Sequence, residues 1–158
     1  MEPTPTDRFP DRYPILGGGF FLAGRASGEV KRRLSELPLP GELIRRIVIA
    51  TYEAEMNIVI HAVSGEVVIS VHGDGIRVVA KDQGPGIADV EEAMKLGFST
   101  ASEKARSLGF GAGMGLTNMQ RCADEFRIAS ELDRGTCVEM TFRPRPVDSK
   151  EERQNDRD

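Results

Sequence analysis

Two blocks of this chain are suited to chemistry. One is an aspartate followed by two alternating glycines, Asp82-Gln83-Gly84-Pro85-Gly86-Ile87. The other is Gly109-Phe110-Gly111-Ala112-Gly113-Met114-Gly115-Leu116, with four glycines at every other position. Glycine takes positive φ freely and lets the backbone approach a ligand closely. Free N–H groups in such a turn, running into a helix N-terminus, form an anion site. An ionised Asp only accepts hydrogen bonds, so Asp82 can read an exocyclic amine such as that of adenine. Together the blocks predict an adenine nucleotide held at both ends.

A second constellation lies upstream. Glu53 and Asn57 are four residues apart, hence on one face of a helix. An amide oxygen can ligate Mg²⁺, which prefers oxygen ligands and keeps several waters. A carboxylate one turn earlier can orient a hydroxyl or a water for attack on phosphorus. Taken alone, the pair also describes a solvated helix edge. Glu55 is rotated by about 200° from both residues at roughly 100° per residue, which predicts a solvent-facing side chain. No Gly-x-x-x-x-Gly-Lys-Ser/Thr occurs, so the chain is not a P-loop protein. His61, one turn beyond Asn57, reads as a packing or capping residue, and His72 as a strand or turn residue.

The elements that must position these residues follow from periodicity and punctuation. Residues 1–15, with Pro3, Pro5, Pro10 and Pro14 among charges, read as a disordered lead-in. Gly17-Gly18-Gly19 is a flexible joint and Phe20–Leu22 an edge strand. Ser27 is the expected N-cap of a helix to about Leu37, ended by Pro38 and Pro40. Leu43, Ile47, Ala50, Ala54 and Ile58 recur at helical spacing and predict one long helix over Gly41–Ala62. Strands follow at Val67–His72 and Ile76–Ala80, joined at Gly73-Asp74-Gly75. Asp89 caps a short helix through Leu96, and Gly97 ends it. Phe98–Leu108 reads as a mobile loop, part of a lid over 97–113 that nucleotide would order. A helix over Met114–Cys122 and strands at Glu125–Glu131 and Thr136–Phe142 complete the pattern, with 144–158 a disordered charged tail. Two hairpins imply a largely antiparallel sheet. The predicted fold is therefore α/β (α+β), a two-layer sandwich with helices covering one face, over residues 16–143.

Composition narrows the class of function. A net charge of −4 argues against a general nucleic-acid binder. No apolar run approaches membrane-spanning length, and the polar, proline-rich N-terminus is no secretory signal. Cys122 and Cys137 have no metal spacing and read as reduced cytoplasmic thiols.

The blocks in this order, followed by Gly135-Thr136, resemble the GHKL superfamily: gyrase, heat-shock chaperone, histidine kinase and mismatch-repair ATPases. The resemblance covers about residues 20–143 and implies a Bergerat-type ATP-binding fold. Within it, Glu53-x-x-x-Asn57, Asp82–Ile87, Gly97-Phe98-Ser99-Thr100, Gly109–Leu116 and Asp124-Glu125-Phe126 are similar to the anti-sigma regulatory serine/threonine kinases. The stressosome switch kinases look nearest. That resemblance implies Glu53 as catalytic base, Asn57 as magnesium ligand and Asp82, Gly84 and Gly86 at adenine. It places Gly111, Gly113 and Gly115 at the phosphates and Thr136 near the adenine end. The cofactors implied are ATP and Mg²⁺. The implied partner is a small STAS-type antagonist protein, with a sigma factor or a phosphatase as further candidates. An alternative within the resemblance is a nucleotide-dependent anti-sigma or phosphatase-activating binding module. A plain ATPase is a third, against which stands the lack of a second domain to use the hydrolysis.

Overall fold

Alternation along the strands decides which face of the sheet is covered. In the computed structural model, which describes residues 9–73, 75–95 and 115–146, five strands form one antiparallel sheet. They are β1 (Asp11–Leu16), β2 (Ser64–His72), β3 (Gly75–Gln83), β4 (Glu125–Glu131) and β5 (Gly135–Phe142), in spatial order β1-β2-β3-β5-β4. Val67, Ala80, Val138 and Ile128 form one cross-strand row, and Ile69, Val78, Met140 and Phe126 the next. These rows face the helices; Ile69, Val78 and Met140 are almost wholly buried. The opposite face carries the Arg12–Glu66 and Arg77–Glu139 ion pairs.

The covering layer is α1 (Arg25–Ser35), α2 (Gly41–His61) and α4 (Gly115–Cys122), and the short α3 (Val90–Ala93) follows β3 outside the core. Leu43, Ile47, Ala50 and Ile58 of α2 meet Val30 and Leu34 of α1 and Met119 of α4 in one core. Each large aliphatic side chain so buried contributes about 1.5–3 kcal/mol. The two predicted hairpins, the long helix and the Asp89 cap, whose Oδ1 accepts the Glu92 N–H at 3.1 Å, are present.

Three expectations need correction. The predicted lead-in over 1–15 contains β1, which pairs with β2 from Asp11↔Ile69 to Leu16↔Ser64. An edge strand tolerates Pro14, because the missing N–H need not enter a ladder. Arg33 of α1 fixes this strand through Asp11 at 2.8 Å and stacks over Phe9. Phe20–Leu22 is a 3₁₀ turn instead of an edge strand. Gly18 takes φ +73°, and the Gly17 and Gly18 N–H groups bond to Val63 and Val59 carbonyls, so the chain turns back onto the end of α2. The N-cap of α1 is Gly24, and Ser27 lies inside the first turn, bonded through its hydroxyl to the Gly24 carbonyl. The predicted loop at Phe98–Leu108 lies outside the described residues, as does the tail beyond residue 146.

Candidate active site

The inner face of the sheet changes character at one end. After the apolar row of Val67, Ala80, Val138 and Ile128, the next row is Gly65, Asp82, Thr136 and Ser130. Gly65 is the register partner of Asp82, and Ser130 that of Thr136. Asp82 Oδ1 accepts the Thr136 N–H at 3.1 Å, which continues the β3–β5 pairing through a side chain. Burial pushes the Asp82 carboxyl above the usual carboxylate range, while the Thr136 N–H pulls it back; among the described residues no cation adds to these influences. A half-buried carboxylate without a cationic partner is costly unless hydrogen-bond donors reach it. Asp82 thus suits an incoming amine.

The loop after Asp82 interlocks with the β4–β5 turn. The Gly84 N–H donates to Arg134 O at 3.1 Å and the Asp133 N–H to Pro85 O at 2.9 Å. Gly86 has φ +73°, and a Cβ there would collide with the Glu131 carbonyl. The space that Gly86 provides is therefore used by the chain itself. Ser130 Oγ accepts the Ile87 N–H at 2.7 Å and lies 2.9 Å from Thr136 Oγ1.

The second cluster sits where α4 begins. Glu53 and Asn57 share a face of α2, and both reach Gly115. A Cβ at position 115 would stand 3.1 Å from Glu53 Oε2 and 3.3 Å from Asn57 Oδ1, so a larger residue there would push these oxygens aside by a few tenths of an ångström. Asn118, one turn into α4, donates from Nδ2 to Glu53 Oε1 at 3.2 Å. Thr117 Oγ1 donates to Met94 O at 3.0 Å and so ties the start of α4 to the end of α3. Ala62, the residue after α2, packs against Gly84. It lies five residues beyond Asn57, about 7.5 Å along the helix. One helix thus carries the Glu53–Asn57 cluster and abuts the Asp82–Thr136 row.

Glu53, Asn57 and Gly115 are brought together, as are Asp82, Gly84 and Thr136, whereas Gly86 packs against Glu131 and Leu132 of the β4–β5 turn. Gly111 and Gly113 lie outside the described residues. Asn118 and Ser130 were not among the predicted residues. A polar side chain three residues after Gly115 is a signal for Asn118; Ser130 needed the strand register.

Glu55 overturns its expectation. It is 2 % exposed, and its carboxylate accepts the N–H groups of Gly24, Ala26 and Ser27 at 3.0–3.1 Å. These are donors that the first turn of a helix leaves unsatisfied. Being opposite Asn57 did not mean facing water, because α2 packs against α1 on that side. His61, expected to pack or to cap, instead lies exposed at the end of α2. Cys122 and Cys137 are free thiols, and burial pushes both above the usual range.

Residues 23–142 match the family model described as the histidine kinase-like ATPase domain. The chain belongs to that family, and the family implies ATP binding. No curated protein matches the chain. Among solved structures it is similar to the RsbU and RsbW domains of Rv1364c from Mycobacterium tuberculosis, with a TM-score of 0.58 and 22 % identity. The match covers 86 % of this chain and 33 % of that one, so this chain spans about a third of that structure's chain. The likeness shows a shared fold. Among the described residues no helix is long and apolar enough to cross a membrane.

Proposed function

We propose that this protein is an ATP- and Mg²⁺-dependent serine/threonine kinase that phosphorylates a small STAS-type regulatory partner. It would act in the cytoplasm as a switch in sigma-factor or stress signalling. The observation that carries this reading is the meeting of Glu53, Asn57 and Gly115 beside the Asp82–Thr136 row. The RsbW domain in the similar structure and the resemblance of the motifs to anti-sigma kinases support it.

The donor set fits both cofactors. Asp82 offers a half-buried acceptor for an amine, and Thr136 lies beside it. Among the described residues there is no cluster of three or more His, Cys, Asp or Glu that would hold a metal. Mg²⁺ takes few protein ligands and completes its shell with waters and phosphate oxygens. One amide oxygen at Asn57 suits a metal that arrives with the nucleotide. When bound, the ion neutralises charge on the phosphates.

The chain's own residues do the rest. Glu53 accepts the proton of the attacking hydroxyl, and Asn118 holds its carboxylate from the other side. Gly115 begins α4, and the N–H groups of that first turn face the phosphates. Asp82 orients the base. The test is transfer of labelled γ-phosphate from Mg-ATP to STAS-type proteins, run for the parent and for Glu53→Gln. Transfer that needs Glu53 supports the kinase. Nucleotide-dependent partner binding without transfer favours a binding module instead.

A further inference from the structure

We propose that Ser130 sets the base preference of the site by holding the Thr136 hydroxyl as an acceptor beside Asp82. The proposal rests on the reading that a purine base meets Asp82 and Thr136.

The argument is one of hydrogen-bond stoichiometry. A serine hydroxyl has one proton to give and two lone pairs to receive with. Ser130 Oγ has three polar neighbours: the Ile87 N–H at 2.7 Å, the Gly135 carbonyl at 3.2 Å and Thr136 Oγ1 at 2.9 Å. Ile87 N–H can only donate, which uses one lone pair. The Gly135 carbonyl can only accept, which uses the proton. All three contacts are hydrogen bonds only if Thr136 donates its own proton to the second lone pair. Ser130 is then saturated, and the Thr136 oxygen keeps only lone pairs for anything else.

The consequence falls on the base. Asp82 Oδ1 is occupied by the Thr136 N–H, and an ionised carboxylate has only acceptors to offer through its other oxygen. Asp82 and Thr136 together form an acceptor-only edge. An exocyclic amine, as on adenine, brings N–H donors to such an edge. Guanine carries a carbonyl oxygen at the same ring position, and acceptor against acceptor is repulsive. Ser130 thus selects adenine without itself touching the base, and is a positioning residue. Without it, the Thr136 hydroxyl is free to rotate and donate, and can then accommodate a carbonyl.

The experiment is titration calorimetry of the full chain with Mg-ATP and with Mg-GTP. Ser130→Ala is expected to reduce the ATP-over-GTP preference about tenfold, the worth of one hydrogen bond. Ser130→Thr keeps the hydroxyl and should keep the preference. Thr136→Val should reduce it at least as much, with the remainder carried by Asp82, and adding Ser130→Ala to Thr136→Val should change it no further. Should Ser130→Ala fail to fold, the Ser130→Thr and Thr136→Val pair decides: retention in the first with reduction in the second upholds the proposal. Equal weakening of both nucleotides by Ser130→Ala would mean that Ser130 only staples the loop at Ile87, and overturns it. So would an unchanged preference in Ser130→Ala or in Thr136→Val. A parent that binds both nucleotides equally overturns the base reading at Asp82 as well, whereas a parent that prefers ATP leaves that reading standing.

Discussion

The carboxylate of Glu55 accepts the N–H of Ser27 at 3.0 Å, joining the middle of α2 to the first turn of α1. Glu53, two residues earlier, points to Gly115 and Asn118 on the other flank. Two acidic residues on one helix therefore hold different neighbours, and α2 is fixed against both.

Glu55→Gln replaces one acceptor oxygen by an NH₂ group that meets backbone donors. Gly24 and Ala26 share Oε1 and Ser27 takes Oε2, so at least one bond is lost and the others lose their charge, and the variant is expected to lose about 3 kcal/mol of stability. Denaturant unfolding measures it. A variant as stable as the parent would show that the first turn of α1 does not depend on this carboxylate.

Asp82→Asn should separate binding from stability. Burial raises the Asp82 pKa in the folded state. A raised carboxyl contributes stability that is fully present below its unfolded value of about 3.9 and is lost as pH rises through the folded value. At neutral pH the ionised group is therefore a local cost, which Asn removes. ATP affinity should fall roughly ten- to a hundredfold, while the melting temperature without nucleotide does not fall. Calorimetry and thermal melts on the same preparation test both halves. A variant with parental ATP affinity would remove Asp82 from the site.

Arg46 and Asp124 join the far end of the sheet to α2, and their link should govern acid stability. Arg46 is 7 % exposed and bonds to Asp124 Oδ2 at 3.2 Å and to the carbonyls of Cys122 and Arg143. Burial alone would raise the Asp124 pKa. The Arg143 N–H, Arg145 and Arg46 outweigh it, and the carboxyl sits below the usual range. A lowered carboxyl gives stability that is present above about pH 3.9 and lost as pH falls through the folded value. Asp124→Asn should cost about 2 kcal/mol at pH 7 and flatten the loss of stability on acidification. Urea midpoints across the acid range follow this. An unchanged slope would place the acid response elsewhere.

The long helix, the two hairpins and the Asp89 cap were legible because each rests on local signals: apolar spacing, turn glycines, a capping side chain. The candidate-site residues Glu53, Asn57 and Asp82 stood out as motifs, and the proposal still rests on them. β1 was not, because Pro14 and the prolines before it hid the alternation of Tyr13 and Ile15, and its partner β2 lies about fifty residues away. Arg46 reads locally as a helix-surface cation, yet its partners come from the α4–β4 junction and the end of β5. Ser130 reads as an ordinary strand residue until the register sets it beside Thr136. What escaped the sequence is what two distant segments must meet to create.

The central claim is that Glu53 is the base and Asn57 the metal ligand of a kinase. Transfer of labelled γ-phosphate from Mg-ATP to a STAS-type partner, with nucleotide binding measured beside it, tests this most directly. Glu53→Gln should bind ATP with parental affinity and transfer at a rate lower by on the order of a hundredfold or more, since an amide cannot accept the hydroxyl proton. Asn57→Ala should lose magnesium-dependent nucleotide binding as well. Phosphate transfer by Glu53→Gln at the parental rate would contradict the account.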